Sequence, residues 1–456
     1  MTHDIDEHYI FNKLDIRRLW NDDDGHLKRF FDKGLSALLA DKYFLLLYVP
    51  KDGAKMRIIR PATDPYHRKR IITRINNAKS IPSFYYALSH LWGISKDNPQ
   101  LWEEIGDYVD DIDGQPAAPV SMRPEKCATL LALLRAHPNS YWWIDVLCAR
   151  TDTPLDIMGD IYSCCLECIA MIDCEPSLLS NFRTKKNMRE ELYVLGNLSI
   201  GKDFLRGKRL YTKYPHLHAQ VNQLKQSEWW KRVWTWQEMA LPYGTVRFIA
   251  ETDDEHFQTN TTTLDALINC FKNLCDILLY LKMDDIEGRK DKNRKPGNFR
   301  SRFMFEICQA RAFNKHRIGK KSASGFFSLI MSLSVSRRRC MDPVDYVYGV
   351  LGMFQIKIPR MSDPAAVWQR FLSELQQYME PMKNDRIVMD GAMYKIGTLD
   401  DRTCPNDLQK AKNMSYVYRK LYHLITENIE SDSDSDSYSY SDSDSDNYSY
   451  SYSDSE

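Results

Sequence analysis

The sequence predicts an α/β fold: a parallel sheet with flanking helices at about residues 82–255, then a mainly helical region and a disordered acidic tail. Three observations carry this expectation. Between residues 82 and 255 apolar, β-rich runs alternate with helical stripes in βαβαβ order, the pattern of a parallel sheet covered on both faces. Beyond residue 255 the strand signals fade while helical periodicity continues. From Ser431 the chain is alternating Ser-Asp and Ser-Tyr, which buries too little surface to offset its chain entropy.

The elements follow in order. Residues 1–81 read as an α/β lead-in. Within it, Gly25 to Asp41 carries Leu27, Phe30, Phe31, Leu35, Leu38 and Leu39 at helical spacing. Tyr43 to Val49 and Met56 to Ile59 are short strands around the turn Pro50-Lys51-Asp52-Gly53. Pro61 to Lys79 is strongly basic and reads as a helix face or a linker. In the 82–255 domain, strands are expected at Tyr85–Leu91, Tyr141–Leu147, Cys168–Asp173 and Thr245–Ala250. Helices are expected at Lys126–Ala136, Pro154–Cys168 and Glu228–Ala240, with an inserted segment of helical pieces from Arg183 to Gln226. The helical region, 256–430, offers stripes at Thr263–Met283, Ser322–Leu333, Tyr346–Met353, Ala365–Tyr378 and Asn406–Ile429, with a Lys/Arg/Asp/Gly loop at Asp284–Arg300. Residues 431–456 form the disordered tail.

Bulk composition excludes more than it selects. The 456 residues are 43% hydrophobic and 27% charged, ordinary for a globular protein long enough for several domains. Net charge is zero, yet the tail holds seven Asp, one Glu and no Lys or Arg. The body therefore has eight more basic than acidic residues, too mild a surplus to argue for nucleic-acid binding. Met1 to Glu7 is polar and acidic, unlike a secretion signal, and Phe326 to Val335 is too short and serine-broken to span a bilayer. A soluble, cytoplasmic protein without a membrane span is expected, with its 11 cysteines reduced. Motifs for phosphate-binding loops, nucleophile-elbow hydrolases and His-Glu-x-x-His metalloproteases are absent from the sequence.

Three aromatic patches stand out. Tyr85, Ala87, Leu88, Ser89, Trp92 and Gly93 fit Tyr-x-Ala-Leu-Ser-Tyr-x-Trp-Gly, with His90 at the second Tyr. Trp143, Ile144, Asp145, Leu147 and Cys148 fit Trp-Ile-Asp-x-Leu-Cys, followed by Met158, Ile161 and Tyr162. Trp229, Arg232, Trp234, Gln237 and Glu238 fit Trp-x-x-Arg-x-Trp-x-x-Gln-Glu. Downstream, Arg339, Asp342-Pro343, Asp345, Tyr348, Leu351 and Gly352 form a fourth patch. Together these resemble the fungal heterokaryon-incompatibility domain. The chain departs from that pattern at Cys148-Ala149-Arg150-Thr151-Asp152, where the family often has Cys-Ile-Asn-Gln-x-Asp, so a ligand contribution from Asn and Gln is in question.

The resemblance implies a Toll/interleukin-1-receptor (TIR)-like, flavodoxin-like sheet and a role in non-self recognition or programmed cell death through self-association or a protein partner. Enzymatic members of the TIR class cleave NAD with a helix-borne Glu, and Trp234 to Glu238 is similar in spacing, at i and i+4. On that reading Glu238 is catalytic, holding ribose hydroxyls and stabilising an oxocarbenium-like transition state. Ser89, Trp92 and Asp145 line the cofactor- or substrate-binding crevice at the strand ends. NAD is then a substrate, and no resident cofactor or metal is required. The alternative is a non-enzymatic interaction scaffold, or a degenerate member without cell-death activity, in which Glu238 only pairs with its neighbours and the Trp residues are core. Cys164, Cys165, Cys168 and Cys174 invite a zinc reading, but the first three fall on a predicted helix without a nearby His, and buried thiols suit them better. The Ser-Asp tail is either a solubilising segment or, once phosphorylated, a tether onto the basic Arg68–Arg74 or Arg289–Lys295 stretches.

Overall fold

The computed structural model describes residues 14–16, 25–93, 100–183, 217–270, 306–311, 313, 322–383, 385–389, 392–396, 399 and 408–426. The acidic tail, the 284–300 loop, residues 184–216 of the expected insertion and residues 271–283 of the expected long helix lie outside them.

Helix α1 (His26–Ala40) buries Leu27, Phe31, Leu35, Leu38 and Leu39, one stripe of its 3.6-residue period. Strands β1 (Leu46–Val49) and β2 (Met56–Ile59) form the expected hairpin. The basic stretch after them is helix α2 (Pro65–Asn76). Asp64 caps it by accepting the His67 N–H at 2.9 Å, and Pro65 fills the first turn, where a missing N–H costs nothing.

Strand β3 (Tyr85–His90) follows, then the two-residue strands β4 (Leu101–Trp102), β5 (Val109–Asp110) and β6 (Val120–Ser121), with helix α3 (Ile105–Tyr108) before β5. Helix α4 (Cys127–Arg135) leads into strand β7 (Ser140–Ile144), helical turn α5 (Asp145–Cys148), helix α6 (Ile157–Cys164) and strand β8 (Glu167–Ile172). Helices α7 (Pro176–Arg183), α8 (Leu217–Leu224) and α9 (Trp234–Ala240) precede strands β9 (Thr245–Ala250) and β10 (Thr261–Thr263).

Eight strands make one sheet in the order β10-β9-β8-β3-β7-β1-β2-β5. Four consecutive strands, β9-β8-β3-β7, are parallel, while β1 joins β7 antiparallel with Leu47 opposite Trp142. Residues 46–59 therefore extend the sheet of the following segment. In chain order the four parallel strands lie second-first-third-fourth, so the order reverses between β3 and β8. At such a reversal the crossovers depart in opposite directions, leaving a crevice outside the strands' carboxyl ends.

Several expected boundaries shift, each because a tertiary bond outcompetes local propensity. The strand expected to reach Leu147 stops at Ile144, since His90 and Trp92 hold the Asp145 carboxylate at 2.9 and 2.6 Å, where it also accepts the Val146 N–H at 2.7 Å and the chain coils into α5. Helix α6 ends at Cys164 instead of Cys168. Cys165 turns extended and the Leu166 N–H bonds Tyr85 O at 2.8 Å, starting the pairing of β8 with β3. The helix expected from Glu228 to Ala240 is broken. A 3₁₀ turn covers Glu228–Lys231, Arg232 is extended, and α9 begins at Trp234. There the Val233 N–H bonds Arg339 O at 3.0 Å and the Arg339 N–H bonds Lys231 O at 2.6 Å, a strand-like bridge between distant segments.

The C-terminal region is helical in α10 (Ala323–Val335), α11 (Asp345–Tyr348), α12 (Leu351–Phe354), α13 (Pro364–Met379) and α14 (Met414–Thr426). The Tyr346–Met353 stripe is thus two short helices, and a hairpin of β11 (Arg386–Met389) and β12 (Ala392–Lys395) interrupts the helical run. This region docks closely on the sheet-bearing segment. A Cβ on Gly159 would lie 2.5 Å from the Gly352 Cα, so α6 and α12 touch through their backbones. Arg338, buried, pairs with Glu306 at 2.7 Å and donates to Arg232 O at 3.1 Å and Thr235 Oγ1 at 2.7 Å. It pins the segment around Arg339 to the start of α9.

Candidate functional site

The parallel strands deliver their last residues to one end of the sheet. β3 ends in Ser89-His90 and β7 hands over to Asp145, while α9 packs on β3 and β8 and brings Glu238 to Ser89. The Ser89 hydroxyl donates to Glu238 Oε2 in a short hydrogen bond and accepts the Trp229 indole N–H at 2.8 Å. Asp145 sits beside this group. Its Oδ1 meets His90 Nε2 at 2.9 Å, and its Oδ2 accepts the Trp92 indole N–H at 2.6 Å. All four residues singled out in the sequence, Ser89, Trp92, Asp145 and Glu238, therefore converge.

The two carboxyls are displaced in opposite directions. Burial pushes Glu238 up to about 7 and the Asp145 charge adds to this, against the Ser89 bond and the guanidiniums of Arg232 and Arg338. Burial also opposes ionisation of Asp145. The electrostatic effect of His90 and the hydrogen bonds from His90, Trp92 and the Val146 N–H outweigh it and hold that carboxyl below its ordinary value. A readily ionised carboxylate thus sits near one that holds its proton to neutral pH, the division of labour acid–base chemistry uses.

Further polar groups, not foreseen as functional, surround the pair. His90, which replaces the aromatic residue of the motif, is buried with Nδ1 3.0 Å from Leu91 O and its other nitrogen on Asp145. Lys126, also buried, donates to Leu91 O and lies 3.4 Å from His90 Nδ1 and 3.7 Å from Glu251 Oε2. Burial brings its ammonium down to about 8, aided by Arg123 and Arg232 and opposed by Glu251 and Asp145. Arg232, half-buried, reaches His90 O at 3.4 Å, and its charge favours ionisation of both Glu238 and Asp345. Asp345 itself is pushed up to about 6, first by burial and also by Asp342, against a hydrogen bond from Trp234 and the charges of Arg232 and Arg360. The sequence signal for Arg232 and Asp345 existed in their motifs; Lys126 had none, because it stands in an unremarkable helix start.

The motif tryptophans divide by their indole nitrogens. Trp143 and Trp236 are core, Trp143 edge-on to Tyr162 at 5.4 Å. Trp92, Trp229 and Trp234 instead donate to Asp145, Ser89 and Asp345, so they fix the orientation of polar groups while packing. Gln237, beside Glu238, is buried, and neither amide atom finds a hydrogen-bond partner among the described residues. The expected cysteine cluster separates, with Cys164 closing α6 and Cys168 inside β8, and no disulfide joins the described cysteines. Burial pushes the Cys165 and Cys168 thiols far up, away from the thiolate a metal needs.

Residues 85–238 match the family model of heterokaryon incompatibility protein (HET). The matched span is about a third of the chain, and it opens at Tyr85 of β3 and closes at Glu238. The match points to a role related to heterokaryon incompatibility and cell death. No curated protein and no solved structure matches the chain. Among the described residues no helix is long and apolar enough to cross a membrane.

Proposed function

We propose that the HET segment is a TIR-like, flavodoxin-type domain that hydrolyses NAD at the nicotinamide–ribose bond, within a non-self recognition or cell-death response switched on by self-association. The observation that carries this reading is the Ser89–Glu238 bond beside Asp145, two carboxyls of opposed proton affinity at the carboxyl ends of the strands, where the strand order reverses. The Ser89 hydroxyl occupies the place a ribose hydroxyl would take, the same donor on the same carboxylate. As the C1′–N bond breaks, the positively charged pyridinium keeps the bonding pair and leaves as neutral nicotinamide, so no acid is needed for departure. The ribosyl cation is stabilised by ionised Asp145 and Glu238. Water then attacks C1′ and passes its proton to Glu238, whose value near 7 suits a base at neutral pH. Arg232, with no carboxylate within ion-pair distance among the described residues, supplies a cation for the pyrophosphate.

One observation favours the scaffold reading: Glu238 is only 7% exposed and Ser89 1%, as befits a pin holding α9 to β3. Turnover separates the two. The full chain, free and artificially clustered, is incubated with NAD and nicotinamide release is followed across pH. The enzyme reading expects release that rises with pH around 7 and falls about a hundredfold or more in Glu238→Gln. Absence of turnover on clustering, or equal turnover by a folded Glu238→Gln chain, overturns it.

A further inference from the structure

The opposite end of the same sheet holds a cavity of about 400 Å³, within the size range of small-molecule sites. It lies where strands β3, β7 and β8 begin, bounded by Arg74 of α2, the residues before Tyr85, the loop 136–139, Ser140 and Leu166. Tyr86 stands on its wall, three residues before Ser89, so about 10 Å of strand separates it from the carboxylate pair.

We propose that this cavity binds a small aromatic anion of the nucleoside-monophosphate kind. The charge comes from Arg74. Its guanidinium donates to Asn139 O at 2.6 Å and faces the Tyr141 ring at 5.3 Å, and no ion pair with a carboxylate is formed among the described residues. Arg70, one turn earlier, is likewise held by the Tyr48 hydroxyl at 2.8 Å and by aromatic faces. Two neighbouring cations held only by neutral groups create a local positive potential, and none of the lining residues is acidic. Glu167, opposite Tyr86 in the β3–β8 register, is already paired with Arg247 at 2.7 Å.

The flat partner comes from the wall. Tyr86 stacks on buried Trp142 at 4.7 Å and 25°, and His137 stands edge-on to both at 5.1 and 5.4 Å. His137 Nδ1 is engaged by Leu133 O at 2.8 Å, which locks the ring. The rim is set as well. Asn139 adopts a left-handed φ of 61°, its side chain accepts from the Tyr48 hydroxyl at 3.4 Å, and its carbonyl takes Arg74. Cation, rigid aromatic wall and fixed rim are thus in place before a ligand arrives, which lowers the ordering cost of binding.

The site is independent of the NAD reading, and the test keeps the two apart. The full chain is titrated with AMP, adenosine and inorganic phosphate at low ionic strength, by calorimetry and by Trp fluorescence, which Trp142 beneath Tyr86 should report. AMP is expected to bind and to lose about tenfold or more in affinity in Arg74→Met, with partial retention in Arg74→Lys. Adenosine and phosphate alone should each bind at least about tenfold more weakly than AMP. Affinity should be unchanged in Lys357→Met, an exposed cation outside both sites. Three results overturn the proposal: no AMP binding at millimolar concentration, binding indifferent to Arg74→Met in a chain with unchanged circular dichroism, or an equal loss of binding in Lys357→Met.

Discussion

Replacing Glu238 by Gln removes a carboxyl whose proton the fold holds from the ordinary 4.5 up to about 7, mainly through burial. Such a group binds its proton more tightly folded than unfolded. Below pH 4.5 both states are protonated and nothing is lost. Between 4.5 and 7 the unfolded chain ionises first, so stability falls as pH rises, and above 7 the loss is complete. At about 1.36 kcal/mol per pH unit, that loss amounts to about 3 kcal/mol. Gln keeps an acceptor oxygen for the Ser89 hydroxyl but cannot ionise. Its extra N–H donors give a constant offset, whereas the ionisation cost varies with pH. The unfolding free energy of Glu238→Gln relative to the parent chain should therefore rise by about 3 kcal/mol between pH 4.5 and 8. Urea unfolding followed by Trp fluorescence at several pH values measures it, and taking the difference cancels the other titrating groups. A difference that stays flat with pH refutes a proton-holding Glu238, and with it the division of roles between Glu238 and Asp145.

Two further outcomes follow from the same geometry. Asp145→Asn removes the charge that ranks second in raising Glu238, so the midpoint of the pH-dependent difference should move to lower pH; an unmoved midpoint shows that the carboxyls do not sense each other. Arg338→Met strands the buried Glu306 carboxylate and frees the bridge to Arg232 O and Thr235, and should cost about 3–5 kcal/mol, while adding Glu306→Leu should recover much of it. Thermal unfolding measures both chains, and a single substitution within about 0.5 kcal/mol of the parent would exclude the pin.

Much of the site was legible in the sequence because the motif residues stand at strand ends and on one helix face, where the α/β pattern itself brings chain segments together. Ser89, Trp92 and Asp145, placed by the sequence at strand ends, meet Glu238 of the helix. Roles were harder to read than places. Trp92 and Trp234 have the look of packing residues, yet each orients a carboxylate through its indole N–H. Lys126 and Arg232 gain their significance from burial and from charges far away in sequence, which no local pattern encodes. The short strands β4, β5, β6 and β10 carry too few residues to display a period of two.

The sequence by itself determined the alternation of apolar strands and helices, the buried stripe of α1, the β1–β2 hairpin and the strand spanning Thr245 to Ala250. Those features depend on side-chain period and on bonds between residues a few positions apart. Tertiary structure decided where β7 and α6 stop and why the Glu228–Ala240 helix breaks at Arg232. It also decided which way each carboxyl holds its proton. Each of these depends on a partner many residues away, Trp92, Tyr85, Arg339 or Asp145, and on the low dielectric that only a closed core supplies.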